Sequence, residues 1–192
     1  MYKQCRTEQS AARQRQMEQG LVEIMGSARY EDITVSDLCE KMNIPRKSFY
    51  RYFSSKDGAL HGLIDHTLMD YEMFDIKSIR TGRSLEKELA RFFRFWQQQR
   101  LMLDALERSG LSGILIERSI SYSVTEGGFP GRFLSQERVQ MRKHLVRFAV
   151  CGLMTMMLQW QHDGYAEDVE DMARIAARLV TQPLFPNLEQ IL

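Results

Sequence analysis

Residues 34 to 53, TVSDLCEKMNIPRKSFYRYF, hold two short helical patterns around a tight break, and this spacing leaves few folds open. Thr34 can cap a first helix through its hydroxyl, with Asp37 three residues on completing a capping box. Val35, Leu38 and Met42 then share an apolar face. Asn43 stands where the chain must turn, because Asn tolerates the left-handed backbone better than most residues other than Gly. Pro45 fixes the angle of a helix start and has no amide to satisfy there, which predicts a second helix from about Arg46 to Phe53. Phe49 and Phe53, four apart, face inward; Arg46, Lys47, Tyr50 and Arg51 face outward.

The outward face is cationic and aromatic. Between Glu40 and Asp57 lie Lys41, Arg46, Lys47, Arg51 and Lys56 and no acid, although the whole chain carries a net charge of only +1. Neutralised phosphates release counterions, so a local patch of this kind can bind DNA whatever the net charge. Two alternatives stay open: a solvated basic face with no ligand, and a helical protein-interaction module that meets an acidic partner.

The chain resembles the TetR family of bacterial transcriptional regulators. The resemblance covers about Met17 to Leu60: an amphipathic helix, the two-helix motif, the string Phe49-Tyr50-Arg51-Tyr52-Phe53, and Ser55-Lys56 opening a fourth helix. It implies a sequence-specific regulator that binds double-stranded operator DNA as a homodimer and represses by occluding a promoter. It makes Thr34 a phosphate contact and sets Arg46, Lys47 and Ser48 against base edges and nearby phosphates. Tyr50 and Tyr52 match aromatic positions that hold the backbone, Arg51 lies between them, and Lys56 matches a phosphate-binding lysine. Three positions depart from the family pattern: Asn43 for a turn Gly, Pro45 for a capping Ser, and Gly58 for a Glu.

At 192 residues, with four Pro and twelve Gly, the chain reads as all-α: a three-helix reading head over 1–70 and a larger helical dimerisation and effector domain over 71–192. Helical periodicity predicts a first helix from about Ala11 to Ala28, where Arg13 and Arg15 either reach DNA or are solvated, and a fourth from Lys56 to Phe74. Further helices are expected over 84–99, 101–107, 111–124, from Ser135 to His162, and over 167–180, with a loop at 126–131. Gly110 and Gly164 act as stops, and Pro183 ends the last helix. The last two helices are apolar over more than one stripe, so a homodimeric four-helix bundle through them is the economical solution. The run Phe148-Ala149-Val150-Cys151-Gly152, with Trp160 and Gly164, is similar to the dimer-forming part of one TetR subgroup.

Phe92, Phe93, Phe95, Trp96, Met102, Met154, Met156, Met157 and Trp160 make either a filled core or the lining of a cavity. The family's second domain often binds a small molecule that alters the spacing of the reading heads, and Trp96, Tyr122 and His144 are the candidate contacts for a small apolar effector. Enzymatic readings find little support. His61, Asp65 and His66 share a helix, but histidines five apart do not share a face for a metal. Ser112, Ser119 and Ser121 lack a nucleophile elbow, and no Gly-rich phosphate loop occurs. No cofactor or metal is expected. Cys5, Cys39 and Cys151 are odd in number and far apart, as in a reducing compartment, with packing as the ordinary role and redox sensing the alternative. A polar N-terminus without a signal-like stretch and a longest apolar run of eleven residues, 148–158, point to a cytoplasmic protein with no membrane span.

Overall fold

A computed structural model describes residues 1–76, 85–125 and 141–182. They form an all-helical fold: α1 (Glu8–Met25), a 3₁₀ turn (Tyr30–Asp32), α2 (Val35–Lys41), α3 (Arg46–Tyr52), α4 (Lys56–Ile76), α5 (Leu85–Gln98), α6 (Arg100–Arg108), α7 (Ser112–Thr125), α8 (Arg142–His162) and α9 (Val169–Thr181). Among the described residues the only extended pairing is an isolated antiparallel bridge between Tyr2 and Phe53.

Helix α1 begins three residues before the expected Ala11, because Thr7 and Ser10 form a capping box, and ends at Gly26 instead of Ala28. Its buried residues Met17, Leu21 and Met25 lie against the α2–α3 motif and α4. The α5–α6 break falls at Gln99, whose ψ of 15° interrupts the helix. Gly110 (φ 67°) and Gly164 (φ 72°) close α6 and α8 in left-handed caps, with Leu111 N–H donating to the Leu106 carbonyl at 2.8 Å and Tyr165 N–H to that of Trp160 at 2.8 Å. Asp168 caps α9 by accepting from Asp171 N–H at 2.7 Å. The expected cap at Ser135, the loop at 126–131 and the stop at Pro183 lie outside the described residues.

Further along the chain, α5 packs on α9 and α7 on α8. Phe93 and Trp160 meet edge to face with centroids 5.6 Å apart, and Trp160 Nε1 donates to the Glu167 carbonyl at 3.0 Å. Each of these side chains is almost wholly buried, so truncating either would cost about 3–5 kcal/mol. Helix α4 runs without a break through residue 70 and packs on α1 on one side and α7 on the other. Asp65 is the pin of the α4–α7 contact. It accepts Arg118 Nε at 2.6 Å, is also engaged by Arg118 Nη2, and accepts the Tyr2 hydroxyl at 2.9 Å. Burial and this carboxylate push the Tyr2 phenol up to about 12.

Helices α8 and α9 leave apolar surface uncovered within one chain. Phe148 is 73% exposed, and Ile175, Leu179 and Val180 are also exposed. Gly152 lies on the exposed side of α8, and a Cβ built there would meet nothing within 4 Å. Among the described residues no helix is long and apolar enough to cross a membrane.

Candidate nucleic-acid interface

The motif forms as its local chemistry dictates. Thr34 Oγ1 accepts from Asp37 N–H at 3.2 Å, and an Asp37 carboxylate oxygen accepts from Thr34 N–H at 2.7 Å. The cap holds the Asp37 carboxyl below its usual range, chiefly through the Thr34 hydroxyl. At the other end of α2, Asn43 takes φ 50° and Ile44 N–H reaches back to the Cys39 carbonyl at 2.9 Å. Pro45 is the N-cap of α3 with φ −64°, and Ser48 N–H donates to its carbonyl at 2.8 Å.

Helix α3 then has two unlike sides. Phe49 and Phe53 are buried and pack on each other with centroids 5.3 Å apart. Arg46, Lys47, Tyr50 and Arg51 are exposed, and Ser48 and Tyr52 are half-buried at the margin. With exposed Thr34 at the start of α2, the arrangement is a short cationic and aromatic ridge anchored by two phenylalanines. A single exposed helix is what a major groove admits.

Lys56 makes close contacts within the chain. Its ammonium donates to the carbonyls of Tyr30 and Ile33, the latter at 2.6 Å, stands 3.4 Å from that of Glu31, and lies 4.2 Å from the Tyr30 ring centroid. An ammonium has three protons, and the loop before α2 occupies them. Tyr30 in turn donates its hydroxyl to Asp57 at 2.6 Å, which together with burial raises its pKa strongly. Here Lys56 ties the start of α4 to the entry of α2. Arg15 likewise pairs with Asp70 at 2.8 Å on α4, whereas Arg13 is exposed.

The candidate effector residues divide. Trp96 and Tyr122 both line an internal cavity of about 30 Å³, with Leu68, Phe92, Leu153 and Met154 around them. That is the room of one water, far below the ~300 Å³ at which small-molecule sites begin. The Trp96 indole nitrogen is buried without a hydrogen-bond partner among the described residues. His144 is not part of this group: it is exposed near the start of α8, because the buried stripe of that helix runs through Val146, Val150, Leu153 and Met157. Of the aromatic and methionine cluster, all but the half-buried Met156 are in the core.

His61, Asp65 and His66 do not converge. His66 Nδ1 faces the buried Glu18 at 2.8 Å, Asp65 serves Arg118 and Tyr2, and burial lowers the His61 pKa. Cys39 is buried at the edge of α2, and Cys5 and Cys151 are half-buried. Periodicity did not point to the contacts of residues 1–5. Lys3 N–H donates to the Tyr52 carbonyl at 2.9 Å, and Gln14 Nε2 donates to the Lys3 carbonyl at 3.0 Å. The only local signal was the unusual Tyr2 in a polar run.

No family model matches the sequence, and no curated protein matches it. Among solved structures the chain is similar to the dihydroxyacetone kinase operon activator DhaS, at 15% identity over 93% of this chain and 95% of that one, with a TM-score of 0.54. It is also similar to the fatty acid degradation regulator FadR from Bacillus halodurans, at 12% identity over 89% and 95% of the two chains, with a TM-score of 0.58. At such identities the likeness speaks of architecture: the chain has an all-helical fold that is also the fold of transcription regulators.

Proposed function

We infer that the protein is a sequence-specific DNA-binding transcriptional regulator of the TetR type, acting as a homodimer. One observation carries this reading: the exposed ridge of Arg46, Lys47, Tyr50 and Arg51 on a helix held from behind by buried Phe49 and Phe53. Basic side chains on a rigid short helix suit base edges and phosphates of a major groove, and Thr34 and Tyr52 border the same motif. The whole-length likeness to two regulators supports the reading at the level of architecture. A reading head up to about residue 70 and a dimerising body behind it fit the packing of α4 between α1 and α7.

Dimerisation is assigned to α8 and α9, whose exposed Phe148, Ile175, Leu179 and Val180 would be buried between two copies. Repression follows from a dimer occluding a promoter. Control by a small apolar effector requires the Trp96 cavity to enlarge, since it now holds a water-sized volume; this favours constitutive repression as the second reading.

The test is equilibrium binding of the full chain and of an Arg46→Ala, Lys47→Ala double variant to duplex DNA. The wild type binds at low salt; the variant, with an unchanged melting temperature, binds weakly. Equal binding by both would move the interface away from α3, and no duplex binding by the wild type would contradict the reading.

A further inference from the structure

The stretch before α1 runs antiparallel to the stretch that leaves α3. Ser54 N–H donates to the Met1 carbonyl at 3.0 Å, Tyr2 bridges Phe53, and Lys3 N–H donates to the Tyr52 carbonyl. Three successive contacts in one register hold the two segments side by side. Tyr2 and Phe53 form the inward pair: Phe53 is buried, and Tyr2 reaches Asp65 and the His66 ring on α4. Lys3, the next residue, lies beside Tyr52, the half-buried last residue of α3. The Lys3 backbone is held on both sides, by Tyr52 and by Gln14, a residue 1% exposed, while its side chain is exposed.

We propose that Lys3 is a DNA-phosphate contact, set beside Tyr52 so that the ammonium and the phenol together grip the backbone flanking the groove that α3 enters. The proposal rests on the DNA-binding reading above. The ligand is the phosphodiester of duplex DNA, met by a point charge that carries no base information. The pairing spans some fifty residues of sequence, so the ordered segment 1–3 extends the ridge of α3 with a charge from the opposite end of the head.

The experiment measures affinity of the full chain for a selected site and for mixed-sequence duplex across a potassium chloride series, for wild type, Lys3→Ala, Lys3→Arg and the body variant Lys143→Ala. The backbone pairing does not use the Lys3 side chain, so melting temperatures should agree. Lys3→Ala should lower the magnitude of the log K against log salt slope by about 1.8 per bound dimer, about 0.9 per protomer, on both duplexes, with base preference unchanged. Lys3→Arg should keep the wild-type slope, and so should Lys143→Ala. A Lys3→Ala slope equal to wild type overturns the proposal while leaving the DNA reading intact, as does an equal loss for Lys143→Ala, which would mean a general charge effect. A wild type without duplex affinity overturns both.

Discussion

Lys56 Nζ stands 2.6 Å from the carbonyl oxygen of Ile33, the residue just before the N-cap of α2. With the Tyr30 carbonyl on the same ammonium, this contact sets the angle at which α2 leaves the 3₁₀ turn, and α2 carries α3 through the tight Asn43 turn. Arg108 binds the Gly26 carbonyl and Ser109 accepts Tyr30 N–H at 3.1 Å, so α6 of the body is tied to the same turn. A hydrogen-bonded route thus runs from α6 to the entry of α2.

Lys56→Met should therefore act as a structural change. Losing the charge-assisted hydrogen bonds to the Tyr30 and Ile33 carbonyls should cost about 1.5–3 kcal/mol of stability. The salt slope of DNA binding should not change. A slope reduced by about two per bound dimer at unchanged stability would instead make Lys56 a phosphate contact.

Base reading and backbone anchoring should separate on α3. Arg46→Ala or Lys47→Ala should relax preference at particular base pairs, by about 1–3 kcal/mol for a well-formed contact. Tyr50→Phe should weaken all sequences alike. Thr34→Ala should do both less and more: it removes a backbone contact and also the α2 cap, worth about 1 kcal/mol of stability. Measuring specific and mixed duplexes side by side distinguishes these classes, and identical behaviour of all four variants would undo the assignment.

The motif was legible in the sequence because its determinants are local. Thr34 and Asp37, Asn43, Pro45, and the Phe49–Phe53 pair act within one or two turns, and each is found in the role its chemistry suggests. Helix α1 began early because a Thr7–Ser10 capping box, also local, was passed over. The engagement of Lys56 by a turn 26 residues away, the union of Tyr2 with Asp65 and Phe53, and the position of His144 outside the Trp96 cavity all depend on packing between distant segments. Periodicity identifies a buried stripe, but a residue one or two positions off that stripe, such as His144, is readily credited to the wrong face.

Gly152→Glu should give a monomer. The space around Gly152 is open within one chain, so the carboxylate is harmless to the protomer and is buried only if α8 meets a second copy. Burying it unpaired should cost several kcal/mol of association. Sedimentation should show monomers with the helical content and melting behaviour of a folded chain. A dimer of undiminished affinity would place the interface elsewhere than α8 and α9.

An effector, if one binds beside Trp96, should act by population shift. The cavity lies behind the reading head, lined by Leu68 of α4 as well as Trp96, so a ligand that enlarges it can release DNA only by favouring a head spacing the operator does not accept. Linkage then requires operator DNA to weaken ligand binding by the same factor by which ligand weakens operator binding. Tryptophan fluorescence titrations of small apolar ligands with and without operator measure this. Equal ligand affinity in both titrations would make the ligand a bystander, and a cavity that admits none would mark a constitutive repressor.

Selection of bound sequences from random duplexes with the full chain tests whether a two-fold dimer reads duplex DNA through α3. Such a dimer should select an inverted repeat whose half-site centres lie about 10 base pairs, or a multiple of that, apart. A single asymmetric site, or no enrichment at all, would contradict it.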